Sequence, residues 1–104
     1  MQGTTEFLGA ALLIVLFSLP GAAPAKAQQS DLVTACAPCH SADGIARDGE
    51  VPNLAGQNEP YLLNQLHAFH EGRRVHKEMR TMSRNLTEEE MRAIAVYYSS
   101  LPPR

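Results

Sequence analysis

The sequence predicts an all-α protein, three to four short helices in one small domain, and three observations carry that prediction. Apolar residues return at helical spacing in two stretches, Tyr61, Leu62, Leu66 and Phe69, and then Met91, Ile94, Ala95 and Tyr98. Stripes of that period are the buried faces of amphipathic helices. The run Leu86-Thr87-Glu88-Glu89-Glu90-Met91 is a capping box, with Thr87 as N-cap and Glu90 three positions on, so the last helix also marks its own start. Finally, both cysteines of the chain lie in Cys36-Ala37-Pro38-Cys39-His40, about one helical turn apart.

Taken in order, residues 1–27 read as a secretory signal peptide. An apolar run covers 7–19, Pro20-Gly21 and Pro24 follow, and Ala25-Lys26-Ala27 is an A-x-A cleavage signal. The first residues depart from the usual pattern in carrying Glu6 and neither Lys nor Arg. The alternative is an uncleaved anchor, since 7–25 approaches the ~20 apolar residues of a spanning helix; the two prolines argue against it. Removal after Ala27 leaves 28–104 as a single domain exported to the periplasm.

A short helix is expected over 30–36, with Ser30 or Asp31 as its N-cap. Residues 41–58 read as a loop, punctuated by Asp43-Gly44, Asp48-Gly49, Pro52-Asn53 and Gly56. A structureless stretch of that length is expected to wrap something. Asn58-Glu59-Pro60 opens a second helix that ends near Gly72. Residues 73–85 are basic, lack a clean period and are expected to be irregular. The last helix starts at Thr87, with Leu86 stapled to Met91 and three glutamates at its positive end, and Pro102-Pro103 closes it.

The chemistry centres on residues 36–40. C-x-x-C-H is the attachment pattern of a c-type haem: two thiols a turn apart can each form a thioether to a vinyl group of one porphyrin, and the next side chain, His40, is held beneath the ring as proximal iron ligand. A redox dithiol or half of a zinc site would also use C-x-x-C, but neither needs His40, and His67, His70 and His76 bring no further cysteines. A lipoprotein cleavage site at 32–36 lies too far beyond the apolar leader. The expected cofactor is therefore one covalent haem c with its iron. A chain below the ~80-residue size at which a core comfortably stabilises itself needs such a staple, and no cysteine is left for a disulfide. Without haem it is expected to be largely unfolded.

Three segments together resemble class I c-type cytochromes: residues 36–40, Pro52-Asn53-Leu54-Ala55-Gly56-Gln57 with Tyr61-Leu62-Leu63-Asn64-Gln65-Leu66, and Glu78-Met79 through to Tyr98. In detail the chain is similar to one half of the dihaem cytochrome c-four group and its monohaem relatives. The resemblance implies the class I cytochrome c fold around one haem held by Cys36 and Cys39, with His40 and a methionine as axial ligands. It implies a hydrogen bond from His40 to the Pro52 carbonyl and a Leu54 packed on the porphyrin. Met79 and Met82 both precede the last helix; the family's spacing to its opening leucine, here Leu86, favours Met79. Met91 belongs to the core stripe. His67 and His70 share a helix face but make an incomplete metal site, and His76 is the alternative to a methionine ligand. The first helix departs from the family in being short and in lacking the small residue that lets the terminal helices cross closely.

Iron closed on both sides by His40 and methionine is left with one-electron exchange, and a His/Met pair raises its potential. The expectation is a periplasmic electron carrier, not an enzyme, serving redox protein partners. The alternatives are a cytochrome subunit of a membrane-bound oxidoreductase and a five-coordinate haem enzyme or gas sensor. No nucleic acid is expected, and a membrane only through partner complexes unless the leader is kept. Charge is uneven: 28–72 sets Asp31, Asp43, Asp48, Glu50, Glu59 and Glu71 against Arg47 alone, whereas cations crowd around Met79. Arg73, Arg74, Lys77 and Arg80 are accordingly expected to steer an acidic partner.

Overall fold

The computed structural model describes residues 2–4, 9–18, 21 and 25–104. Glu6, Phe7, Leu19, Pro20 and Pro24 of the expected signal peptide lie outside the described residues. Four helices and no strand occur among the described residues: α1 Ala25–His40, α2 Glu59–His70, α3 Lys77–Ser83 and α4 Glu88–Ser99.

α1 corrects the expected short helix over 30–36. It starts at Ala25 and continues through the cysteines to His40, so Ser30 and Asp31 are interior rather than caps. The added residues, Ala-Lys-Ala-Gln-Gln, are all good helix formers, and Gln29 Nε2 ties the new turn to α4 by donating to the Ala93 carbonyl at 3.0 Å. A cut after Ala27 would fall inside its first turn. The crossing of the terminal helices is likewise corrected: the small residue is supplied by α4, where Ala95 is fully buried in the cluster that also holds Val33 of α1.

α2 begins where Asn58 Oδ1 accepts the Tyr61 N–H at 3.2 Å, and the chain leaves it at Gly72, φ +77°. α3 overturns the irregular reading of 73–85. Histidine is a weak N-cap candidate by sequence, yet the His76 ring caps this helix by accepting the Met79 N–H at 3.3 Å. α4 carries the capping box in full: Thr87 Oγ1 accepts from Glu90 N at 3.1 Å and Glu90 Oε1 from Thr87 N at 2.9 Å. Leu62, Leu66, Met91, Ile94, Ala95 and Tyr98 join Val33 in one core, against which Leu86 packs.

Candidate functional site

His40 ends α1 because Ser41 turns to φ +65°, a left-handed residue that stops a helix. Two hydroxyls from α4 fix that turn. Tyr98 donates to the Ser41 carbonyl at 3.2 Å and Tyr97 to that of Ala42 at 2.6 Å. Burial pushes the Tyr98 hydroxyl well above the usual phenol range, so it remains a donor at any ordinary pH.

The loop over 41–58 then folds back on itself. Leu54 N and Ala55 N both donate to the Gly44 carbonyl, at 2.8 and 3.1 Å, and Asn53 Oδ1 accepts Ala46 N at 2.8 Å. Gly44 has φ +72°, and a Cβ there would stand 2.7 Å from Ala55 N, so only glycine permits the closure. The closure delivers the Pro52 carbonyl to His40, whose Nδ1–H donates to it at 3.0 Å. With the proton fixed on Nδ1, Nε2 keeps its lone pair, the form in which an imidazole binds a metal. The ring itself is buried.

Cys36 and Cys39 are free thiols on the last turns of α1. Cys36 is half-buried and donates to the Leu32 carbonyl at 3.5 Å, and burial pushes its thiol up; Cys39 is exposed. Leu54 and Met79 both pack against the core cluster. Met82, three residues along α3 from Met79, is 42% exposed, and Val75 just before the helix is 92% exposed.

These groups fit a covalently held haem. Two thiols lie a turn apart, the adjoining imidazole presents an unprotonated Nε2, and apolar side chains next to Met79 are left bare by the polypeptide. A zinc-type site finds no support, since no cluster of three or more His, Cys, Asp or Glu suited to a metal occurs among the described residues. A groove of about 700 Å³ along Val33, Thr34, Ala37, Pro38 and Tyr97 contains none of these groups.

The remaining histidines are engaged elsewhere. His67 Nε2 meets Glu88 Oε2 at 2.5 Å, and His70 Nδ1–H donates to the Ser83 carbonyl at 2.8 Å. The four residues of the cationic collar are all exposed and make different bonds. Arg74 bonds Gln65 at 2.7 Å and lies over the Phe69 ring at 4.6 Å, while Arg80 Nη1 donates to the Phe69 carbonyl at 3.0 Å and also to that of His70. Arg73 pairs with Glu71 at 2.6 Å. Lys77 forms no ion pair among the described residues. Arginines in a charged run look alike in sequence; which of them bond to α2 depends on where its side chains and carbonyls lie. Sequence reasoning missed Tyr97, the hydrogen bond of the Tyr98 hydroxyl and the capping role of His76.

Comparison with known proteins gives concordant matches. A family model described as Cytochrome c matches residues 25–102. Cytochrome c4 of Pseudomonas aeruginosa is 37% identical over 89 residues, covering 86% of this chain and 44% of that protein. Cytochrome c-554(548) of Halomonas halodenitrificans is 36% identical over 73 residues, 67% of this chain and 88% of that one. The cytochrome c4 structure from Acidithiobacillus ferrooxidans superposes with a TM-score of 0.67 at 36% identity, over 74% of this chain and 49% of its own. The chain thus spans less than half the length of the cytochromes c4 it matches.

Proposed function

The chain belongs to the cytochrome c family, and from that premise we propose that it is a single-haem periplasmic carrier that passes one electron at a time between redox protein partners. The family's cofactor is haem c, which when bound supplies the Fe(III)/Fe(II) couple. Cys36 and Cys39 are the residues that would tether it. His40 offers Nε2 to the iron, and the Pro52 carbonyl both holds that tautomer and fixes the plane of the ring. Met79 would offer its thioether as the second protein ligand. With both side chains bound, the group would be left with electron exchange, which favours a carrier over an enzyme.

The observation that carries this reading is the hydrogen bond between His40 and Pro52, because it is the second-sphere contact that turns an imidazole into an iron ligand. The direct experiment is a pyridine haemochrome spectrum of protein first extracted with acid-acetone, followed by a redox titration. Retained haem titrating as a one-electron couple supports the reading. Haem lost to the solvent, or a chain with two free thiols, overturns it.

Export rests on the leader. Loss of residues 1–27, read from the intact mass of protein recovered from the periplasm, is the expected outcome; a retained leader would favour the membrane-complex alternative. For docking, Lys77, Arg74 and Arg80 carry the positive face: all three are exposed, and Arg74 and Arg80 are bonded to neutral oxygens, whereas the charge of Arg73 is offset by Glu71.

A further inference from the structure

We propose that His70 and Arg80 form a clasp that holds α3 against α2 and thereby sets the position of Met79. This rests on the reading of Met79 as the axial methionine. A helix of seven residues does not persist by itself, so the placement of α3 has to come from bonds to its neighbours. Two side chains supply them, the helix start being capped by the His76 ring, which accepts the Met79 N–H. In the middle, Arg80 sends its guanidinium to the Phe69 and His70 carbonyls. Those carbonyls belong to the last turn of α2, whose negative dipole end favours a cation; the Phe69 carbonyl also accepts Gly72 N at 3.2 Å. At the far end the exchange is returned, as His70 donates Nδ1–H to the Ser83 carbonyl, which also accepts Leu86 N at 3.1 Å.

Ser83 is fully buried, so this end of α3 is seated in the interior and cannot slide without breaking the bond to His70. Arg74 closes the connecting loop from outside, its backbone N–H on the Ala68 carbonyl at 3.1 Å and its guanidinium over Phe69. Met79 lies one turn before Ser83 and directly before Arg80, on the N-terminal side of both clasp bonds. A neutral thioether is a weak donor, and how well it competes for iron depends on being held in place. His70 and Arg80 are therefore positioning residues: they touch neither haem nor iron and act through α3.

The test is a titration of the oxidised holoprotein with imidazole, an external ligand that must displace the methionine, followed through the weak far-red sulfur-to-iron band. His70→Ala and Arg80→Leu are each expected to lower the half-displacing imidazole concentration roughly tenfold, the equilibrium equivalent of one ordinary hydrogen bond. His70→Asn, whose amide can donate from the position of Nδ1, should return it to within about twofold of the wild type. His67→Ala breaks the α2–α4 bond to Glu88 without touching α3 and should leave the titration unchanged. Unaltered displacement in both clasp variants, or equal loosening by His67→Ala, overturns the proposal. Survival of the band in Met79→Ala overturns the ligand reading instead, whatever the clasp variants do.

Discussion

At the scale of single residues, the site depends on which atoms are free to bind and which are already bonded. Nδ1 of His40 is committed to the Pro52 carbonyl, as that of His70 is to Ser83 and that of His76 to Met79 N, so it is the place of His40 directly after Cys39 that singles it out. Met79→Ala is therefore expected to abolish the far-red sulfur-to-iron band of the oxidised protein near neutral pH, and Met82→Ala to preserve it. Loss of the band in the Met82 variant would move the ligand there. The two cysteines are predicted to act independently in attachment. Cys39→Ser should leave haem bound through Cys36 alone, with one vinyl group unsaturated and a shifted haemochrome maximum; complete loss of acid-acetone-resistant haem would show that one thioether does not suffice.

At the scale of elements, ends matter more than middles. α4 owes its start to reciprocal bonds between Thr87 and Glu90, and Thr87→Ala should cost about 1 kcal/mol in denaturant unfolding of the holoprotein. The loop that presents Pro52 is closed at Gly44. Gly44→Ala must adopt φ +72° with its Cβ 2.7 Å from Ala55 N, so a loss of more than about 1 kcal/mol is expected. The same variant should weaken the bond to His40, visible as a raised reduction potential or a ligand-field shift, since a less basic imidazole stabilises Fe(III) less. An unchanged unfolding curve would show that the loop has another way to close. α1 is the element whose length matters most, since its first turns carry the Gln29 bond to α4 and its last residue is the iron-binding histidine.

At the scale of the whole molecule, charge and pH act together. Glu88 is held below the usual carboxylate range mainly by its hydrogen bond to His67, and Glu71 by its bond to Arg73. Asp43 is held below it first by the Ile45 N–H and then by Arg47. A carboxyl depressed in the folded state adds stability that is present above its ordinary value and lost as pH falls through the lowered one. The unfolding midpoint should thus decline on acidification below about 4.5, the ordinary glutamate value, and Glu88→Gln should flatten part of that decline. These side chains are about half exposed, so the effect is small, and an acid-insensitive midpoint in the wild type would contradict it. Long-range steering has the opposite experimental handle. Electron-transfer rates with an acidic partner should fall as salt shortens the Debye length to ~8 Å at physiological strength. They should fall more gently in Lys77→Gln and in Arg74→Gln, each of which removes one exposed positive charge.

The sequence by itself determined the all-α class, the buried stripes of α2 and α4, the capping box and the attachment motif. Each of these is written in neighbouring residues: a period of 3.6, a side chain three positions from its backbone partner, two cysteines and a histidine in a row. Tertiary structure alone decided the rest. α1 reaches back to Ala25 because Gln29 finds the Ala93 carbonyl, and α3 is seated because His70 reaches the Ser83 carbonyl. Within the cationic run, Arg80 is tied to the last turn of α2 because its guanidinium reaches the Phe69 and His70 carbonyls. Contacts between residues far apart in the chain leave no local pattern, so the collar that looks uniform in sequence is, in the fold, partly a device for holding a methionine in place.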